Sequence, residues 1–580
     1  MTRVSGQAAR RGAAFALCAG MTTALVATAM VAPAQGAEHV LPVVERAEPA
    51  GTGQLAAGVI YKMKPGYAAS AAASSSVSAA VARAAGRDVR TTVVPVGALT
   101  SAVDFVDLVD ASTAEQAAAA VAANPAVAWA EPNYVATTAG AGPVKPKDPY
   151  FAQYQWNVWD SRNGSTSGVT IPNGGWSSHA LSLWPRTKGS GVVVAVIDTG
   201  RTRHSDLDGH TVNGYDMISS ATSARDGNGR DSDATDKGDL GSDGVHSSWH
   251  GTHVAGIVGA MTNTSWGAGV APNSRIQHVR VLGSKGGTFA DIAAGVTWAS
   301  GGSVSGVPKN SKPARVLNLS IQTKDDMRCP SALQDAIKGA RARGAVVIAA
   351  AGNYNKSASL SVPGNCQGVI TVAALDRNGK RASYSNRGSV VDIAAPGGGG
   401  GSTNSGYVWS TINTGTKAPG AAAYGGMAGT SQAAPAVAGG AALLASLGLK
   451  GAALESALLR ARSNFPRYAG SPANCSTTQC GRGYLDLSKV LVAIKRAKIT
   501  GTPAVGQTLK VVAAKGFTGK VTGKKFQWFR NGSPISGATG QSYKLTSADR
   551  GKQISARITP RSAGSYYAQP STSLRTAKVS

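Results

Sequence analysis

The sequence predicts an α/β protein: a doubly wound parallel sheet, preceded by a small α+β unit and followed by a small β-sandwich. Three observations predict it. Five short runs, at residues 192–197, 276–282, 316–321, 345–350 and 369–373, are almost continuously apolar, with helical stretches between them. Such runs suit strands buried on both faces, and intervening helices make the connections of a parallel sheet. Residues 57–135 instead carry alternating strand patterns between Ala-rich helical ones. Beyond residue 499, Trp and Tyr fall in alternating runs between Gly, Ser and Asn turns, the pattern of a sandwich.

Taken in order, Arg3, Arg10 and Arg11 precede an Ala-rich apolar stretch, and Ala32 and Ala34 offer a small-residue cleavage site. This reads as a secretory signal over residues 1–34 and implies a secreted, extracellular protein. No later stretch reaches 18 consecutive apolar residues, so a spanning helix is not expected. Residues 35–141 make the α+β unit, with strands at 58–63, 103–109 and 127–130 and helices at 68–85 and 113–123. A Gly/Pro/Lys joint at 139–147 leads into the α/β domain, residues 142–494. Residues 495–580 form the β-domain.

With 42% hydrophobic and 15% charged residues the chain is not a disordered one. Its formal charge of +28 is uneven: residues 495–580 hold 16 Lys and Arg against one acid, Asp549. A surface of that density suits an anionic cell-surface polymer, with plain solubility as the alternative; no nucleic-acid partner is expected, and a monomer is. Of five cysteines, Cys18 lies in the signal. Cys329, Cys366, Cys475 and Cys480 remain for two disulfides. Three connectivities are open; Cys329–Cys366 with Cys475–Cys480 is the one expected. Zinc is a weaker alternative, since no His stands at ligand spacing near Cys475 or Cys480.

Three motifs carry chemistry. The strand Val194-Ala-Val-Ile-Asp198 ends in a carboxylate and a Thr-Gly turn. His250-Gly-Thr-His253 opens a helix, and so does Gly429-Thr-Ser431-Gln-Ala-Ala-Pro435. A serine hydroxyl needs an imidazole to accept its proton. The imidazole in turn needs a carboxylate to fix its tautomer and stabilise its charged form. Each motif alone is weak, since a strand-end Asp is more often a cap than a catalyst. In this order along the chain they resemble the subtilisin-like serine proteases (subtilases), over roughly residues 148–487. The resemblance implies a subtilisin-like fold and a serine endopeptidase acting on protein or peptide substrates. Asp198 would be the orienting carboxylate, His250 the general base and acid, Ser431 the nucleophile, and His253 structural. Asn353, ending Ala349-Ala-Ala351-Gly352-Asn353, would supply the oxyanion hole. Asn318, Leu319 and Ser320, with Ala351 and Gly352, would bind substrate. Gln322 stands where the family usually has Gly, adding bulk near the specificity pocket.

The resemblance extends outward. Residues 57–135 are similar to the family's inhibitory propeptide, which assists folding and blocks the cleft until cut away. Trp528-Phe-Arg-Asn-Gly532 is similar to immunoglobulin-like modules of bacterial secreted proteins. Before the His motif, Asp226, Asn228, Asp231 and Asp233 crowd carboxylates that repel unless a cation offsets them; similar loops in related subtilases imply Ca²⁺ there. A solvated acidic loop is the alternative. A competing reading of the whole chain is a binding protein whose protease domain has lost activity.

Overall fold

The computed structural model describes residues 39–40, 55–64, 71–85, 94–95, 99–138, 141–144, 154–158, 176–239, 246–263, 267–399, 406–465 and 475–580, the last without 494, 514–515, 519–520 and 563. The expected signal at 1–34, the start of the helix expected from 68, and joint positions 139–140 and 145–147 lie outside the described residues.

A nine-stranded sheet forms the centre, in the order Arg462–Ser463, Tyr484–Leu485, Ile393–Pro396, Val369–Leu375, Val346–Ala350, Val316–Leu319, Val193–Asp198, Arg275–Arg280, Thr211–Asp216. Every adjacent pair is parallel except the first. Side chains alternate across a strand, so Val194 and Val196 join one core while Ala195 and Ile197 join another. The first core lies under helices His250–Gly259, Thr430–Ala445 and Gly451–Arg460. The second lies under Phe289–Ala299 and Ser331–Ala342. Helices on both faces explain why these strands read as continuous apolar runs. The run at 316–321 splits at Ser320: Val316–Leu319 stays in the sheet, and Ile321–Gln322 pairs elsewhere.

In the N-terminal unit, Leu55–Met63 lies between Thr100–Asp110 and Val127–Thr138, all antiparallel. Val59, Tyr61 and Met63 face helices Ala71–Ala85 and Ala111–Ala122, where they meet Val77, Val81 and Val121. Ile60, pointing the other way, packs into the core of the α/β domain with Ala102. The strand expected to end at 130 continues to Thr138. It docks antiparallel to Gly287–Thr288 on one side and Ile321–Gln322 on the other. Ala141–Val144 then pairs with Ala422–Ala428, across the boundary expected at 141.

The C-terminal unit has two antiparallel sheets. One holds Ala497–Thr500, Thr508–Ala513 and Ser542–Lys544. The other holds Ser533–Pro534, Gly523–Arg530, Ile554–Arg561 and Ser571–Thr572. They share a core around the fully buried Trp528. Both disulfides are formed, Cys329–Cys366 and Cys475–Cys480, with Cα–Cα distances of 5.1 and 5.4 Å. Among the described residues no helix is long and apolar enough to cross a membrane.

Candidate active site

Chemistry collects at the carboxyl end of the sheet, where parallel strands release their loops. Asp198 is the last residue of its strand and is fully buried. Its Oδ1 accepts from the Thr199 N–H at 2.8 Å and from His250 Nδ1 at 2.7 Å. His250 is held by the turn that starts its helix. A Cβ at Gly251 would lie 2.3 Å from the Gly200 carbonyl, so the two loops meet this closely only through glycine. His250 Nε2 is buried without a protein partner. His253, one turn on, is bonded through Nε2 to the Gly425 carbonyl at 3.1 Å. Burial, then the neighbouring His250, pushes its imidazole down to about 3, so it stays neutral and serves packing.

Ser431 is the second residue of helix Thr430–Ala445, which shares a core with the His250 helix. Its Oγ donates to the Ser320 carbonyl at 3.3 Å, not to His250 Nε2. The Asp–His pair is therefore assembled, while the serine hydroxyl is turned toward the strand end. Ser320 answers with its own hydroxyl, donating to the Ser431 carbonyl at 2.8 Å while accepting from Asn318 Nδ2 at 2.9 Å. Asn318 and Ser320 thus hold the nucleophile's turn, and Leu319 lies in the core.

Ala351 and Gly352 continue from the neighbouring strand. Gly352 has φ +104°, and a Cβ there would lie 2.3 Å from Asn386 Nδ2, so this turn needs glycine. It delivers Asn353, whose Oδ1 accepts from the Thr430 N–H (2.9 Å) and hydroxyl (2.8 Å). With Oδ1 so engaged, Nδ2 is left buried and without a partner beside the Ser431 turn. The Asn353 N–H donates to Gln322 Oε1 at 2.7 Å. Sequence reasoning saw Gln322 only as bulk and missed this tie; it missed Thr430 as well, although that residue lies inside the Gly-Thr-Ser motif.

The expected calcium set does not come together. Asp226 pairs with the buried guanidinium of Arg280 at 2.9 Å, and Arg280 also pairs with Asp216. Asp231 accepts from Asn228 Nδ2 at 2.8 Å, and Asp233 pairs with Lys237 at 3.0 Å. Among the described residues no three His, Cys, Asp or Glu side chains form a group that could hold a metal ion. As arranged, this donor set does not fit Ca²⁺: protein cations and an amide already offset the charge that a metal was expected to offset.

Residues 189–469 match the model of the Subtilase family. An extracellular protease of Xanthomonas campestris pv. campestris is 46% identical over 322 residues, 53% of this chain and 53% of that protein. Thermitase of Thermoactinomyces vulgaris is 34% identical over 316 residues, 54% of this chain and 90% of its own length. A solved protease structure from Pseudoalteromonas arctica aligns with TM-score 0.51 at 45% identity, covering 59% of this chain and 97% of that one. The chain thus spans about half the length of the Xanthomonas relative but nearly all of thermitase. On that similarity, and with the matched segment enclosing Asp198, His250, Asn353 and Ser431, the chain belongs to the subtilase family.

Proposed function

We propose that this chain is a secreted serine endopeptidase, made as a precursor that its own active site cuts. The observation that carries the reading is the pairing of a buried Asp198–His250 dyad with an unpartnered Asn353 amide beside Ser431. Ser431 Oγ, turned from Ser320 to His250 Nε2, attacks the scissile carbonyl as the imidazole takes its proton. Asp198 holds the tautomer and stabilises the imidazolium. The oxyanion receives hydrogen bonds from the Ser431 N–H and Asn353 Nδ2. His250 returns the proton to the leaving amine, and water then hydrolyses the acyl-enzyme by the same route. Protein or peptide substrate would enter as an extended strand between Gly287–Thr288 and Ile321–Gln322.

The N-terminal unit occupies that place with strand Val127–Thr138, which supports its reading as an inhibitory propeptide. Thr138 is opposite Ile321, next to Ser320, and Ala141 is opposite Ala428, three positions before Ser431. These two registers flank Ser431, which supports a cut between Thr138 and Ala141. N-terminal sequencing of the mature enzyme should give residue 139, 140 or 141, and a fluorophosphonate probe should label Ser431 in the same product. A mature start beyond residue 145, or no labelling, would count against the assignment.

Two side chains hold the unit down. Both Glu131 oxygens accept from the free N–H groups of helix Ser331–Ala342, at 2.5 Å from Ser331 and 2.7 Å from Ala332. Asn133 Oδ1 accepts from Ala290 at 3.0 Å, in the first turn of Phe289–Ala299. Carboxylates and amides at helix N-termini contribute about 0.5–2 kcal/mol each. Added in trans to the mature enzyme, the unit carrying Glu131→Ala should inhibit roughly 2- to 30-fold more weakly. Equal inhibition constants would show that the caps contribute nothing to binding.

Secretion rests on the signal and on relatives named extracellular. In the C-terminal unit the one acid, Asp549, is buried and bonded to Arg530 at 2.7 Å and Tyr543 at 2.9 Å. Residues 495–580 hold no other Asp or Glu to balance their 16 Lys and Arg. Binding of an anionic cell-surface polymer is the role proposed for it. Deleting residues 495–580 should spare hydrolysis of a small peptide and abolish salt-sensitive retention on anionic polymer. Unchanged retention would return the unit to a solubility role.

A further inference from the structure

Where helix Gly451–Arg460 and strand Arg462–Ser463 meet residues 564–568 of the C-terminal unit, an open cleft of about 940 Å³ separates the two. Four arginines line it, Arg341, Arg460, Arg462 and Arg482, against two carboxylates, Glu455 and Asp392. Arg341 and Glu455 satisfy one another at 2.7 Å. Arg462 donates to the backbone carbonyls of Arg482 (2.8 Å) and Leu459 (2.5 Å), which orient its guanidinium without neutralising it. Among the described residues no salt bridge reaches Arg460, Arg462 or Arg482; Asp392, whose carboxyl feels the charge of Arg482, is the one further carboxylate lining the cleft, so cations exceed acids there. Burial, then the positive charge of Arg482, holds the Arg462 guanidinium below its ordinary pKa.

The cleft is held open from both sides. Val490–Leu491 pairs with Tyr567–Ala568 in parallel. The Ser565 hydroxyl donates to the Arg460 carbonyl at 3.1 Å, and Gln569 Nε2 to that of Leu447 at 3.1 Å. The wall from the C-terminal unit is thus tied to the helix that carries Arg460. Guanidiniums lining one cleft suit the paired oxygens of phosphate and carboxylate, to which they give charge-assisted hydrogen bonds.

We infer that this cleft is a binding site for a multivalent oxyanion ligand, bearing phosphate or carboxylate groups, seated between the catalytic and C-terminal units. It is distinct from the proposed catalytic centre and does not depend on that reading. The test is equilibrium dialysis of the whole chain against inorganic phosphate and, separately, citrate, with ionic strength held constant by sodium chloride. The site should take up one anion per chain saturably. The double variant Arg460→Gln/Arg482→Gln should bind about tenfold or more weakly. Lys309→Gln/Lys312→Gln, which removes equal charge from an exposed segment of the α/β domain, should bind as the parent does. Arg482→Lys keeps the charge but loses the planar fork, so it should fall between; it also serves if the double variant misfolds by near-ultraviolet circular dichroism. Phosphate binding alone would assign a phosphate ligand, and citrate binding alone a carboxylate ligand. Non-saturable uptake of both, or equal losses in the two double variants, would overturn the proposal.

Discussion

Ser431→Ala should yield a chain that neither hydrolyses peptides nor releases its N-terminal unit. On the proposed reading both losses have one cause, because the registers at Thr138 and Ala141 flank the residue that would attack substrate. Removing the nucleophile of such a triad lowers kcat by about 10⁶, a figure found for a subtilisin, leaving what binding and the oxyanion hole provide. The fold should hardly register the change: the Ser431 hydroxyl makes one long bond, 3.3 Å to Ser320, while the Ser320 bond to the Ser431 carbonyl survives. Thermal midpoints of variant and parent precursor can therefore be compared directly, with a change of under about 1 kcal/mol expected. Mature enzyme added in trans should still cut the variant, because its junction is intact. Unaided maturation of the purified variant at the parental rate would remove Ser431 from the reaction.

How much of this was legible before the structure depends on where each piece of information sits. Asp198, His250, Ser431 and Asn353 stand in short motifs beside apolar strands and helices, so chemistry and location could be read together. Five strands buried on both faces were legible for the same reason, within one or two residues, whereas Ile393–Pro396, equally buried but only four residues long, was not. Thr211–Asp216 was not: at the sheet edge it has one neighbour, Arg275–Arg280, and its sequence is half polar. The second half of Val127–Thr138 was hidden differently. Glu131, Pro132 and Asn133 break the alternation although they pair with Leu55–Met63, and the pairing of 135–138 comes from Gly287–Thr288 and Ile321–Gln322, more than 140 residues downstream. The same non-locality governs the charge of the acidic loop. Its crowding was visible, but the buried cation that offsets Asp226 is Arg280, on a strand 54 residues away. Gln322 shows the converse, being noticed as a departure from a family pattern and then read for its size, when its carbonyl oxygen holds the Asn353 backbone.

Asn353→Ala should lower kcat by about 10²–10³ with KM nearly unchanged, since an oxyanion donor acts on the transition state and not on bound substrate. The alanine variant has a second consequence. Oδ1 accepts from the Thr430 N–H and hydroxyl, so truncation strands both groups in the interior and costs about 1–3 kcal/mol of stability. A fall in kcat could then be blamed on a displaced Ser431, one residue from Thr430. Asn353→Asp separates the two explanations. A carboxylate keeps an oxygen for Thr430 and so preserves the turn, but it replaces the buried, unpartnered Nδ2 with an oxygen aimed at developing negative charge. If Asn353 acts only by positioning the turn, Asp should work nearly as well as Asn. If Nδ2 is the donor, Asp should be at least as slow as Ala while melting closer to the parent. The comparison needs kcat, KM and a thermal midpoint for three proteins on one peptide substrate. An Asp variant within about tenfold of parental kcat would leave the Ser431 N–H as the oxyanion donor and reduce Asn353 to a brace for Thr430.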